Sequence, residues 1–266
     1  MIKSNAQLGE CQRSRRARAL LGAAVLSGLV TAAPAVAAQT PREIVDHVDR
    51  LLRGASSEGT LTMRITTRQW TRSLDLRIHS LGTDYALVRV LAPHKEAGTA
   101  TLKVKTDVWN YLPRVDRTIK IPPSLMMGSW MGSHFTNDDL VKESRMALDY
   151  DISVSFDGER DGVAVWELTL VPKPDAAVVW GKVIEQVRKR DLMPLWARYY
   201  DDAGHLARTL TFGDVKMMGG REVPARLTVV PADKPDESTV IEYHDLRFDV
   251  GLTPAFFSLR ALRSAR

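Results

Sequence analysis

Along most of this chain the apolar positions recur at every second residue. Leu61, Met63 and Ile65 alternate with Thr62, Arg64 and Thr66, and Leu74, Leu76 and Ile78 alternate with Asp75, Arg77 and His79. A period of two predicts antiparallel strands with one wet and one apolar face. The same reading gives strands over 85–91, 100–104, 108–112 and 118–121, the last two forming a hairpin around Pro113-Arg114-Val115-Asp116 that carries Trp109 and Tyr111 towards one face. A second series covers 150–156, 163–171, 183–188, 195–200, 206–212, 225–230 and 240–248. About a dozen strands at regular turn spacing predict a curved sheet or barrel.

Helical spacing appears in two places. Thr40-Pro41-Arg42-Glu43 combines a capping Thr, Pro at the first helical position and Glu three residues after the cap. Ile44, Val45, Val48, Leu51 and Leu52 follow on one stripe and Gly54 offers a stop, so a helix is predicted over 41–52 with its stripe buried against a sheet. Thr136-x-x-Asp139 resembles the same capping box with Asp in place of Glu and predicts a short helix over 137–146.

Between Pro122-Pro123 and that second helix lies a stretch with neither period, Ser124-Leu125-Met126-Met127-Gly128-Ser129-Trp130-Met131-Gly132-Ser133-His134-Phe135. It is too apolar for an ordinary surface loop. Methionine is flexible and polarizable, and interleaved Gly and Ser leave the backbone pliable. Composition alone serves two readings equally, a loop that completes a core and a mobile cover over an apolar face.

The first residues have a different character. Arg13-Ser14-Arg15-Arg16-Ala17-Arg18 precedes the short apolar run 19–30, and Pro34-Ala35-Val36-Ala37-Ala38 ends it with an Ala-x-Ala site. This order predicts a secretory signal peptide over 1–37, and the run is shorter than the roughly 20 residues of a membrane-spanning helix. Cys11, the single cysteine, leaves with that segment, so no disulfide staples the mature fold. The formal charge of +5 changes as well: Lys3, Arg13, Arg15, Arg16 and Arg18 are lost against Glu10 alone, and the remainder is nearly neutral. A neutral domain argues against nucleic acid as a partner.

Candidate chemistry is sparse. Gly128-Ser129-Trp130-Met131-Gly132 has its serine in the second position and lacks the strand-to-helix setting of a nucleophile elbow. His134 with Asp138 and Asp139 invites a metal reading, but two acids in the first turn of a capped helix are better explained by the helix itself. The six histidines show no paired ligand spacing, and Gly219-Gly220 lacks the Lys of a phosphate loop. No catalytic residue, metal or cofactor is therefore expected. Arg68, Arg72, Arg77, Arg89, Arg114 and Arg117 read as the solvated face of a sheet.

Three stretches carry a resemblance: Trp109-Asn110-Tyr111-Leu112-Pro113, Arg117-Thr118-Ile119-Lys120-Ile121-Pro122, and above all Met131-Gly132-Ser133-His134-Phe135-Thr136-Asn137-Asp138-Asp139-Leu140. They resemble the periplasmic outer-membrane lipoprotein-sorting-like proteins, relatives of the LolA and LolB carriers, with His134 standing where that family usually has Asp. The resemblance implies a mainly β fold, a half-open antiparallel β-barrel over residues 38–266 with a few short helices covering an apolar concave face. It implies a periplasmic carrier, a monomer, that binds lipid or acylated lipoprotein cargo and moves it towards the outer membrane. Its partners are then an inner-membrane lipid exporter of the resistance-nodulation-division kind or an outer-membrane acceptor. Trp109, Tyr111, Leu125, Met126, Met127, Trp130, Met131 and Phe135 are the residues expected to contact the cargo. Two readings compete with it. A lipid-acting hydrolase needs an aligned nucleophile and base, and an integral outer-membrane β-barrel shares the period of two. Against the latter stand the amphipathic helix at the start and the basic end Leu259-Arg260-Ala261-Leu262-Arg263-Ser264-Ala265-Arg266.

Overall fold

The structure, a computed structural model, describes residues 39–139, 145–176 and 178–264. The expected signal peptide over 1–37, with Cys11, lies outside the described residues, as does the middle of the helix predicted over 137–146.

The predicted helix is α1 (Pro41–Leu51), and both halves of its capping box form: the Thr40 hydroxyl accepts from the Glu43 N–H at 3.3 Å, and the Glu43 carboxylate accepts from the Thr40 N–H at 2.8 Å. The strands are β1 (Ser56–Thr66), β2 (Thr71–Leu81), β3 (Tyr85–Ala92), β4 (Ala100–Val104), β5 (Asp107–Leu112), β6 (Arg117–Lys120), β7 (Tyr150–Arg160), β8 (Val163–Pro172), β9 (Lys182–Arg188), β10 (Met193–Tyr200), β11 (Leu206–Met218), β12 (Arg221–Pro231) and β13 (Ser238–Phe248). The helix α2 (Met146–Asp149) precedes β7, and α3 (Leu259–Arg263) follows β13.

All thirteen strands belong to one antiparallel sheet in the order β6-β5-β4-β3-β2-β1-β13-β12-β11-β10-β9-β8-β7. The chain starts in the middle, meanders outward to the edge strand β6, crosses to the opposite edge at β7 and meanders back until β13 pairs with β1. The β1–β13 seam shifts register between Thr60 and Leu61, and Gly59 beside it is obligatory because a Cβ there would collide with the Asp245 carbonyl. The sheet does not close, so the barrel expectation holds only in its half-open form. Among the described residues β6 and β7 have no further strand partner, and lipid does not tolerate such unpaired edges, which argues against the membrane-barrel alternative.

Alternation sorts the side chains onto two faces. Met63, Ile65, Leu74, Leu76, Leu210, Val229 and Ile241 point to one face and form its main core with Ile44 and Val45 of α1 and Met146 and Ala147 of α2. We call this the concave face. On the other, Leu87, Ala100 and Leu102 pack beneath Phe257 and Leu262 of the C-terminal segment. A small third cluster joins Leu51 of α1 to Met193 and Val223.

Leu51 thus tests whether α1 is docked. Leu51→Asp places an unpaired charge in that cluster and is expected to lower the thermal midpoint of the whole domain by well over the ~4 °C that a 1 kcal/mol loss gives. Melting at the parent temperature would show α1 to be detached.

Candidate functional site

Because β6 and β7 lie at opposite edges, the segment between them must traverse the full width of the sheet, and its residues up to 139 lie over the concave face. Its contacts advance strand by strand. Trp130 donates its indole N–H to Thr101 of β4 at 3.1 Å; the Met131 carbonyl accepts from Arg72 of β2 at 3.1 Å; the His134 N–H donates to Thr239 of β13 at 3.0 Å. Asp139 then receives both guanidinium nitrogens of Arg208 on β11, at 2.6 and 2.7 Å. From β4 to β11 there are six strand spacings, about 29 Å on a flat sheet at ~4.8 Å each, and nine residues reach at most about 30–32 Å when fully extended. The segment includes a turn of 3-10 helix over Trp130–Gly132, so it is not fully extended, and the reach of the Trp130 indole and the Arg208 guanidinium makes up the span.

We call residues 122–139 the strap. Its motif residues fasten it, internally and to the sheet. Met131 and Gly132 both adopt positive φ, 52° and 74°, a conformation easy for Gly132 and costly for Met131. Buried Ser133 donates to the Trp130 carbonyl at 2.7 Å, and Asn137 donates to the carbonyls of Leu125 and Gly128, each at 3.1 Å. The Thr136–Asp139 capping box forms reciprocally, at 2.7 and 3.1 Å. His134 shares its Nδ1 with the Thr239 hydroxyl at 2.8 Å and its Nε2 with Glu237 at 3.3 Å, and that hydrogen bond, followed by one from the Arg68 N–H, holds the Glu237 carboxyl below its usual range.

The Arg208–Asp139 pair is the centre of this fastening. Both side chains are about 95% buried, and the guanidinium lies over the rings of Tyr199 and Trp180, 4.3 and 4.6 Å from their centroids. Nearby, burial and then the charges of Asp138, Asp149 and Asp139 push the Tyr150 hydroxyl well above its ordinary range. Lys103, inward on β4, donates to the Thr83 carbonyl at 2.5 Å; burial first, then Arg53 and Arg145 set against Asp84, brings its pKa down to about 7.

The structure divides the residues expected to contact cargo. Trp130 and Phe135 are buried in the concave core and Met131 packs against it. Met126 is half-buried, whereas Leu125 and Met127 lie on the outer side of the strap, 56% and 51% exposed. Trp109 and Tyr111 are not with them: they pair with Leu102 and Ala100 and pack on the opposite face. The fastening residues Arg72, Arg208 and Thr239 carried a signal that periodicity reading passed over, since each occupies an inward position in an otherwise apolar row, as Arg208 does with Leu210 and Phe212.

Beneath the strap and helices the concave face is filled. A 90 Å³ mouth opens into it, bordered by Val48 and Leu52 of α1, Met146 of α2, and Tyr199, Leu210, Phe212 and Leu227 of the sheet, with Asp49, Arg53 and Glu185 at its polar rim. That is below the roughly 300 Å³ at which small-molecule sites begin. Among the described residues no group of three or more His, Cys, Asp and Glu is arranged to hold a metal.

A family model described as "Uncharacterized protein" matches residues 82–264. Among solved structures, a DUF1329 family protein from Desulfovibrio piger is similar with a TM-score of 0.76 and 24% identity, over 84% of this chain and 97% of that one. An outer membrane lipoprotein-sorting protein domain from Vibrio parahaemolyticus has a TM-score of 0.72 and 26% identity, over 84% and 98%. A LolA superfamily protein from Nitrosomonas europaea has a TM-score of 0.72 and 21% identity, over 84% and 100%. The chain has the LolA-like fold these structures share. The comparison with curated proteins gave no match.

The ion pair makes a separable prediction. Asp139→Ala leaves Arg208 buried without its carboxylate and is expected to cost about 3–5 kcal/mol in urea unfolding, whereas Arg208→Met with Asp139→Leu recovers most of the loss. A single variant as stable as the parent would show that the pair does not hold the strap.

Proposed function

The chain belongs to the family whose model spans residues 82–264, and from that premise and its LolA-like fold we propose that it is a periplasmic carrier for acyl chains. The observation that carries the reading is the pairing of a continuous apolar concave face with a cover made of separate pieces, α1, α2 and the strap. Any open sheet must cover its apolar face, but here the cover is made of separate pieces held at discrete polar points, which suits one that lifts. Acyl chains crossing water need such a cover, since each exposed methylene costs on the order of 0.8 kcal/mol.

In this reading the mouth between α1 and β10–β12 widens as the cover lifts, and the chains take the place of Trp130, Met131 and Phe135 against the sheet. Leu125, Met126 and Met127 form the pliable outer part of the cover. Trp109 and Tyr111 serve the cargo only indirectly, by fixing the edge from which the strap departs. Export rests on the signal-like residues 1–37, with 38–266 as the carrier domain. The cargo is lipid or acylated lipoprotein bound for the outer membrane, and the exporter or acceptor flanking the route rests on the family resemblance. The work requires repacking, and no bond is made or broken.

The test uses a fluorescent fatty acid titrated into purified protein. The parent is expected to bind it with a shift in tryptophan emission, and Phe212→Asp, at the half-buried mouth, is expected to weaken binding by at least about tenfold while the sheet folds. A folded variant that binds as the parent does would refute the concave-face site.

A further inference from the structure

The face of the sheet turned away from the strap carries a second feature. The C-terminal segment, anchored by buried Phe257 and Leu262, arches over β2 and β3 and leaves a cleft of about 590 Å³. Arg77, His79, Arg89 and Arg260 line it together with Leu87 and Phe256, and among the described residues no Asp or Glu does. The size falls within the range of small-molecule sites, roughly 300–1,000 Å³.

The placement of charge is unusual for a sheet. Arg77 and Arg89 are directly opposed across the β2–β3 pair, where like charges repel, and His79 follows Arg77 on the same face. Arg89 is only 7% exposed, and its guanidinium is met by carbonyls, those of Ala261 at 2.7 Å and Leu262 at 3.3 Å. Those contacts explain Arg89 as a clamp on α3, but they give its charge no counter-ion. Among the described residues no acid forms an ion pair with Arg77, Arg89 or Arg260. Glu58 and Asp245, which share the adjoining pocket with Arg77, are engaged by Arg247, at 2.7 and 3.9 Å, and Glu58 lies 3.8 Å from His79. Burial and the two arginines hold His79 towards its neutral form, with Glu58 opposing. A sequence reading that spread these arginines over a solvated face missed the convergence, because the roof comes from residues more than 160 positions away.

We propose that this cleft is a binding site for a phosphate-bearing organic anion, held by Arg77 and Arg260 above the buried charge of Arg89, with Phe256 and Leu87 against its organic part. Arginine forks suit phosphate oxygens, and an anion removes the repulsion across β2–β3. The chemistry is shared by a phospholipid headgroup and a soluble phosphate ester. The site lies on the opposite face from the acyl-chain cavity and does not depend on it.

The test is calorimetric titration of the purified chain at low salt with three probes: dihexanoyl phosphatidylglycerol below its micellar concentration, glycerol 3-phosphate and inorganic phosphate. Binding of either organic probe is expected, and Arg77→Ala with Arg260→Ala should weaken it at least about tenfold. Both side chains are exposed, so the fold survives, and fatty-acid binding at the concave face should stay as in the parent. Binding of the lipid alone identifies a headgroup site, and binding of both organic probes identifies a phosphate-ester site. The proposal is overturned if only inorganic phosphate binds, if no probe binds, or if the double variant binds as tightly as the parent.

Discussion

An open sheet of thirteen strands has to hide one apolar face, and here the chain's own path supplies the means. The two meanders end at opposite edges, so whatever joins β6 to β7 must run across every strand between them. Lying over the concave face, that connection can bury Trp130 and Phe135 there while its backbone is satisfied largely within the strap, as in the Trp130 N–H to the Phe135 carbonyl and the Asn137 N–H to the Gly128 carbonyl, and side chains of the sheet hold it down as clips. Arg72, Thr239 and Arg208 are those clips. Everything else on this face, α1 and α2 included, fills space that the strap leaves.

The fastening also sets how the cover behaves. A buried, bidentate ion pair holds by geometry as much as by net energy, since desolvating two charges offsets most of their attraction. Such a pair fixes one docked position, which under the proposed carrier function suits a cover that repacks as a unit better than apolar packing, which tolerates many positions. The side chains of Leu125 and Met127 point away from the core and leave apolar surface exposed where the strap starts its crossing.

The strands and α1 were legible because they depend on local rules: a period of two, and a Thr-Pro-x-Glu cap whose two hydrogen bonds both form. The apolar stretch around Trp130 was also visible, but its role depends on which edges it connects, and that is a property of sheet order, invisible to spacing. The same limit misplaced Trp109 and Tyr111 beside it. They are near Trp130 in sequence, yet Trp109 pairs with Leu102 whereas Trp130 meets Thr101, and adjacent residues of one strand face opposite ways. Arg208 stood out locally as a charge in an apolar row, but its partner lies 69 residues away and nothing local names it.

The central claim is that the strap and helices form a releasable cover rather than a fixed part of the core. Amide hydrogen exchange of the purified chain, with and without a saturating fatty acid, addresses it directly. The account predicts that ligand changes exchange in residues 122–139 and in α1 while the central strands β1, β13 and β12 keep their protection. Identical exchange in the cover with the ligand bound would contradict it, and would make the strap a permanent element of the core.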